Sequence, residues 1–191
     1  MGDATAFTLK GPARILYGPA GAEVEFGKTF ETPIVVRIQE LSGPIMFHQT
    51  GMNLWDAVTI GKIIEVEASF ANLSWQLLMN ALPNEATLCD TVTTPTVDSD
   101  DQSLEILVGL GTSHRDNAQR LIVQPYYNGV PDPNVETWFY FPLAYPVVDA
   151  EINHDYESQK VLHVKFEVFP VSQACPRLMF MGNEAFLCAC D

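Results

Sequence analysis

The sequence predicts a mainly β domain of the α+β kind, with about ten strands and one helix. Three observations lead there. From Val147 to Phe169, the residues Val148, Ala150 and Ile152, then Leu162, Val164, Phe166 and Val168, recur at every second position, with Asp149, Glu151, Asn153, His163, Lys165 and Glu167 between them. A period of two assigns each set to its own face of a sheet. The first third of the chain is cut into short β-rich runs by Gly11-Pro12, Gly18-Pro19, Gly43-Pro44 and Gly51. One stretch, Asn72 to Leu82, carries apolar residues at convincing helical spacing.

Taken in order, Ala13 to Tyr17, Glu23 to Phe26 and Ile34 to Gln39 read as strands, the last placing Ile34, Val36 and Ile38 on one face. Pro44 to Ile60 reads as a long hairpin arm. Its apolar set Met46, Phe47, Met52, Leu54 and Trp55 sits in a segment otherwise marked as a loop, the pattern of a surface that meets another subunit. Gly61 to Ser69 alternates again, with Ile64, Val66 and Ala68 opposed to Ile63, Glu65, Glu67 and Ser69. Asn72 then caps a helix whose stripe is Leu73, Leu77, Leu78, Ala81 and Leu82, and Pro83 ends it. Asn84 to Ser103 holds Glu85, Asp90, Asp98, Asp100 and Asp101 with no Lys or Arg, an exposed acidic loop with a short strand near Leu88.

Strands resume at Leu104 to Leu110, Arg120 to Tyr127 and Val135 to Phe141, then in the Val147 to Phe169 pair, with short apolar segments at Leu178 to Met181 and Ala185 to Ala189. One register of that pair, around a loop at Asp155 to Gln159, sets Ile152 opposite Leu162, Ala150 opposite Val164 and Val148 opposite Phe166. It also sets Asp149 opposite Lys165 and Glu151 opposite His163, an arrangement of opposite charges that favours antiparallel pairing. No repeat, low-complexity tract or linker divides residues 1–191, so a single domain is expected.

Composition narrows the function. With 24 acidic and 10 basic residues the formal net charge is −14, so basic clusters that neutralise phosphates cannot dominate the surface and tight nucleic-acid binding is not expected. An acidic surface can instead repel a polyanion that slides past it. Met1 to Lys10 lacks the pattern of a signal peptide, four cysteines are few for 191 residues, and no apolar run approaches the ~20 residues of a membrane span. A reducing cytoplasm and no membrane role are the expectations.

Motifs for chemistry are missing. Ser113, His114 and Asp116 are the residue types of a nucleophilic triad, but they crowd one loop and no G-x-S-x-G elbow supplies a nucleophile. Gly109-Leu110-Gly111 lacks the rest of a phosphate-binding fingerprint, and Asp98 to Asp101 lacks the order of a calcium loop. Cys188 and Cys190, with Cys175, do not complete a zinc set, and His48, His114, His154 and His163 are scattered. No catalytic residue, cofactor site or metal site is expected, and the chain is not read as an enzyme.

The order of features resembles the major tail tube proteins of long-tailed bacteriophages. The residues that carry this are Gln49-Thr50-Gly51, Asp56 to Gly61, Ile64 to Glu67, the helix from Asn72 to Leu82, and the Val147 to Phe169 pair, which look like that family's hairpin arm, inner strand, helix and late inner-sheet hairpin. The resemblance implies a β-sandwich or barrel with one flanking helix and a long hairpin arm. It also implies copies assembled into hexameric rings stacked as a tube, in a virion tail made in the host cytoplasm. The partners it implies are other copies of the chain, a tape-measure protein, tail terminator or initiator proteins, and DNA that passes through the lumen without specific binding. Glu65, Glu67, Asp149, Glu151 and Glu167 are then the lumen-lining candidates, with Lys62 and Lys165 able to weaken their field. Two other readings compete: a capsid decoration or head-tail completion protein, and a small-ligand or carbohydrate-binding β-sandwich that would stack its ligand on Trp55, Trp138, Tyr126 and Tyr127.

Overall fold

Short β-rich runs can satisfy their backbone groups only by pairing with one another, and here they pair antiparallel throughout. The computed structural model describes residues 5–8, 12–27, 29, 34–47, 53–71, 75–83, 86–90, 102–106, 111–149, 161–172, 174 and 176–187. Within them the strands are β1 (Thr5–Thr8), β2 (Ala13–Gly18), β3 (Val24–Gly27), β4 (Val35–Phe47), β5 (Asn53–Ala71), β6 (Ala86–Asp90), β7 (Gln102–Ile106), β8 (Gln119–Tyr127), β9 (Val130–Pro131), β10 (Phe139–Asp149), β11 (Val161–Val168) and β12 (Phe180–Met181). The helix α1 (Trp75–Ala81) follows β5. The main sheet runs β1-β4-β5-β11-β10-β8-β2-β3, with β12 added on β10 and β9 on β8, while β6 and β7 form a separate hairpin.

Alternation decides what this sheet buries. Ile15 and Tyr17 of β2, Val36 of β4, Ile64, Val66, Ala68 and Phe70 of β5, Leu121 and Val123 of β8, and Leu162, Val164 and Phe166 of β11 all point to one side and are buried there. The sheet curls around them. Phe26 of β3, at one end of the strand order, lies 4.9 Å from Phe70 of β5 and 5.1 Å from Phe166, ring to ring, and Thr29 bridges to Phe70. Helix α1 closes this side with Leu77 and Ala81. A Cβ at Gly27 would come within 2.9 Å of Leu77 Cδ1 and 3.2 Å of Phe70 Cδ1, so the strand approaches helix and sheet closely only as glycine.

Two features of β10 set what faces outward. Its pairing with β8 shifts between Phe141 and Ala144. The extra residue of such a bulge reverses the alternation: Phe141 points inward before it, Ala144 inward after it, and Tyr145 outward. At the other end of β8, Asn128 (φ 53°) and Gly129 (φ 80°) make the tight turn into β9, the left-handed pair that a two-residue hairpin loop requires.

The pairing of β10 with β11 differs from the sequence expectation by two residues. Asp149 sits opposite His163, Val148 opposite Val164, and Lys165 opposite Val147, not Asp149. A slip of two preserves the face of every side chain, so alternation could not distinguish the registers. Charge pairing within the hairpin alone favours the other register, but β11 is flanked on its other side by β5, where Lys165 faces Glu67 and pairs with Glu65. Glu151, Ala150, Ile152 and the Asp155 to Gln159 loop lie outside the described residues.

Val135 to Thr137, expected as the start of a strand, is a 3-10 turn. The Asn134 side chain accepts from the Glu136 N–H, and the Asp132 carboxylate accepts from the Asn134 N–H and the Thr137 hydroxyl; such local bonds compete with a ladder. Glu184–Phe186 is likewise a 3-10 turn, capped by Asn183, where the sequence shows a short apolar segment from Ala185.

Candidate functional site

The outward face of β4, β5, β11 and β10 gathers three of the five carboxylates singled out in the sequence. Registers align Arg37, Glu65, Glu167 and Tyr145 in one row, and Val35, Glu67, Lys165 and Val147 in the next. Each carboxylate has a partner. Arg37 pairs with Glu67, Lys165 Nζ lies 2.7 Å from Glu65 Oε1, and His114 Nδ1 lies 3.1 Å from Glu167 Oε2. The Glu65 hydrogen bond is the main reason the Lys165 amine titrates above the ordinary lysine range. In a third row, Ser69 Oγ meets His163 Nδ1 at 2.8 Å, with Asp149 opposite His163 on β10. Three carboxylates against Arg37 and Lys165 leave this patch near neutrality. It is a charge ladder that ties three strands together and not a bare acidic wall.

Beyond this patch the sheet narrows to a ribbon. β1 pairs with β4 only over Val35 to Ile38, and β11 pairs with β5 only from Glu65 to Ala71. The rest of β4 and β5 pair with each other, out to Phe47 opposite Asn53. The backbone groups on the ribbon's outer edges have no strand partner among the described residues. Large apolar side chains stand exposed along it: Leu41 is 38% exposed, Ile63 41%, Val58 51% and Ile60 73%. Ile60 lies over Gly43, where any Cβ would come within 2.9 Å of Ile60 Cδ1. At its base Thr59, Ile60, Gly61 and Lys62 face Pro170, Pro176 and Leu178 across an open cleft of about 320 Å³.

Of the contact residues expected from sequence, Met46, Phe47, Leu54 and Trp55 fall on the ribbon's outer part, with Met46 opposite Leu54, and Met52 lies outside the described residues. Leu41, Val58, Ile60 and Ile63 were not singled out. Leu41 and Ile63 share the face of Arg37 and Glu65, opposite Val36, Ile38 and Ile64, so the core-face alternation does not point to them.

The remaining sequence candidates are dispersed. Ser113 Oγ accepts from the Asp116 N–H, and His114 turns to Glu167, so the three residues form a turn and not a relay. Of the aromatics of the ligand-binding reading, Trp138 stacks on Tyr140 and donates its indole N–H to the Asp132 carbonyl, Tyr126 lines a cleft with Pro12 and Arg14, and Tyr127 is exposed. Tyr140 is covered in turn by Phe180 and by Arg120, which pairs with Glu23 and Glu184 at 3.1 Å each and pins the chain after β12 to the sheet. Burial raises the Tyr140 phenol above its ordinary range. Among the described residues no group of three His, Cys, Asp or Glu is placed to hold a metal ion, and no helix is long and apolar enough to cross a membrane. Cys188, Cys190, Cys175 and Asp98 to Asp101 lie outside them.

No protein-family model matches the chain, and no curated protein matches it. Among solved structures, the crystal structure of Hcp protein is similar at 12% identity and a TM-score of 0.32, over 89% of this chain and 98% of that one. A likeness that weak carries no argument about fold or function.

Proposed function

We propose that this chain is a structural protein that assembles with copies of itself into rings stacked as a tube. The observation that carries the reading is the two-stranded ribbon of β4 and β5, which leaves the sheet with both outer edges unpaired by strands among the described residues and with Leu41, Val58, Ile60 and Ile63 exposed. Unpaired strand edges and contiguous apolar side chains are what a soluble protein covers by association. The resemblance of the sequence to phage major tail tube proteins supplies the finer reading: hexameric rings in a virion tail, with a lumen that encloses a tape-measure protein and passes DNA. In that arrangement the ladder of Arg37, Glu65, Glu67, Lys165 and Glu167 lines the lumen. Its internal pairing gives a phosphate backbone no cluster of free cations to adhere to, and no bond-making chemistry is required.

Negative-stain electron microscopy of the concentrated protein, together with its mass in solution, tests the reading. Hollow tubes or stackable rings are the expected result. A chain that stays monomeric at high concentration, also when seeded with tail initiation components, would overturn it in favour of a decoration or ligand-binding protein.

A further inference from the structure

The chain contains one Asn-Gly step, Asn128-Gly129, and the fold sets it at the tip of the two-residue loop between β8 and β9. Tyr127 and Val130 pair across the loop, so the ladder ends just before it. All four residues are exposed, Tyr127 at 66% and Val130 at 58%. Neither the Asn128 side-chain amide nor the Gly129 N–H has a hydrogen-bond partner among the described residues. Other asparagines differ on both counts. Asn117 donates to the Ser113 carbonyl at 2.8 Å, Asn134 accepts from the Glu136 N–H at 3.1 Å and Asn183 from the Ala185 N–H at 3.0 Å. The residues that follow them, Ala118, Val135 and Glu184, each carry a Cβ.

We propose that Asn128 is a site of spontaneous deamidation, at which the turn converts to aspartate and isoaspartate. Asparagine is a thermolabile side chain, and its Cγ can close a five-membered ring with the nitrogen of the following residue. The Gly129 nitrogen forms a bond to Asn128 Cγ, the bond from Cγ to Nδ2 breaks, and the Gly129 proton passes through water to the departing nitrogen, which leaves as ammonia. Water then opens the cyclic imide at one of its two carbonyls. Opening at Cγ gives aspartate, and opening at the main-chain carbonyl gives isoaspartate. One water enters, one ammonia leaves, and nothing is oxidised or reduced. Glycine favours the attack because no Cβ crowds the nitrogen and because its backbone moves freely into the ring's geometry. The exposed loop admits the water. Either product adds a negative charge to a chain already at −14. Isoaspartate also routes the main chain through Cβ and Cγ, one atom longer than a two-residue loop with Tyr127 opposite Val130. The site belongs to the single chain and does not depend on assembly.

Folded protein held at pH 8, below its unfolding transition, tests this. Samples taken over several days are digested with pepsin at low pH and compared by mass spectrometry with a sample from time zero, and fragment ions assign each gain to one asparagine. Asn128 should gain one mass unit and resolve into two chromatographic forms, several times faster than Asn117, Asn134 or Asn183. Gly129→Ala should slow the gain several-fold. Because alanine is strained at φ 80°, a variant that fails to fold is set aside and the wild-type comparison decides alone. No gain at Asn128, or a gain no faster than at those three, would overturn the proposal, as would an unslowed gain in a folded Gly129→Ala chain.

Discussion

Replacing Ile60 with serine should weaken association between copies and leave the single chain folded. Ile60 is 73% exposed. Full burial of an isoleucine is worth about 1.5–3 kcal/mol, so a contact that covers its exposed part draws roughly 1–2 kcal/mol from it. Each contact in an assembly then weakens on the order of five- to thirtyfold, since every 1.4 kcal/mol is a factor of ten. The fold loses little, because a side chain so exposed has few internal neighbours; a change within about 0.5 kcal/mol is expected. Pelleting across a concentration series gives the critical concentration for assembly, and urea unfolding of dilute protein gives the stability. Ile63→Ser, at 41% exposure, should shift the critical concentration less than Ile60→Ser. An unchanged critical concentration with an unchanged unfolding midpoint would remove the ribbon from the interface. A lowered midpoint would mean that Ile60 packs on its own chain.

Three further outcomes follow from the fold. Lys165 and Glu65 have side chains 40% and 28% exposed, so solvent screening limits a double-mutant cycle between them to about 0.2–1 kcal/mol. Because the Lys165 pKa is raised in the folded chain, that stabilisation is complete below about pH 10 and fades as pH rises through the folded value; urea midpoints of wild type and Lys165→Met should keep their separation from pH 8 to about pH 10 and converge only above it. Phe166→Ala empties a fully buried position whose ring lies 5.1 Å from Phe26 and 5.8 Å from Tyr17, and denaturant titration should report a loss of about 3–5 kcal/mol. Gly27→Ala forces a methyl against Leu77 and Phe70 and should cost about 1–3 kcal/mol; unchanged stability would show that α1 is not seated on β3.

The alternating runs were legible because burial on one face writes itself into every second residue: Ile64, Val66 and Ala68, or Leu162, Val164 and Phe166, admit only one assignment of faces. What such a pattern omits is whatever leaves polarity unchanged. The register of β10 on β11 could move by two without exposing a single core residue, and the bulge at Phe141 to Ala144, which turns Tyr145 outward, has no polar signature in a run reading Phe-Tyr-Phe-Pro-Leu-Ala-Tyr. The 3-10 turn at Val135 was missed because β-branched and aromatic residues looked like a strand. The short side chains of Asp132 and Asn134 just before it held the decisive hydrogen bonds.

The outward face shows a different limit. Counting carboxylates strand by strand makes Glu65, Glu67 and Glu167 look like an acidic surface, yet the field above a sheet depends on which strands become neighbours. Arg37 is some thirty residues from Glu67, and Lys165 about a hundred from Glu65, and only the order β4-β5-β11 brings each cation to its carboxylate. Within that patch, pairing cancels most of the charge at a distance greater than its own spacing, because opposite charges a few ångströms apart act as dipoles whose potential is soon screened by salt. The formal charge of −14 is therefore carried mainly elsewhere on the chain. Over the ladder, Glu65 and Glu67 are already occupied by cations, and both cations by carboxylates.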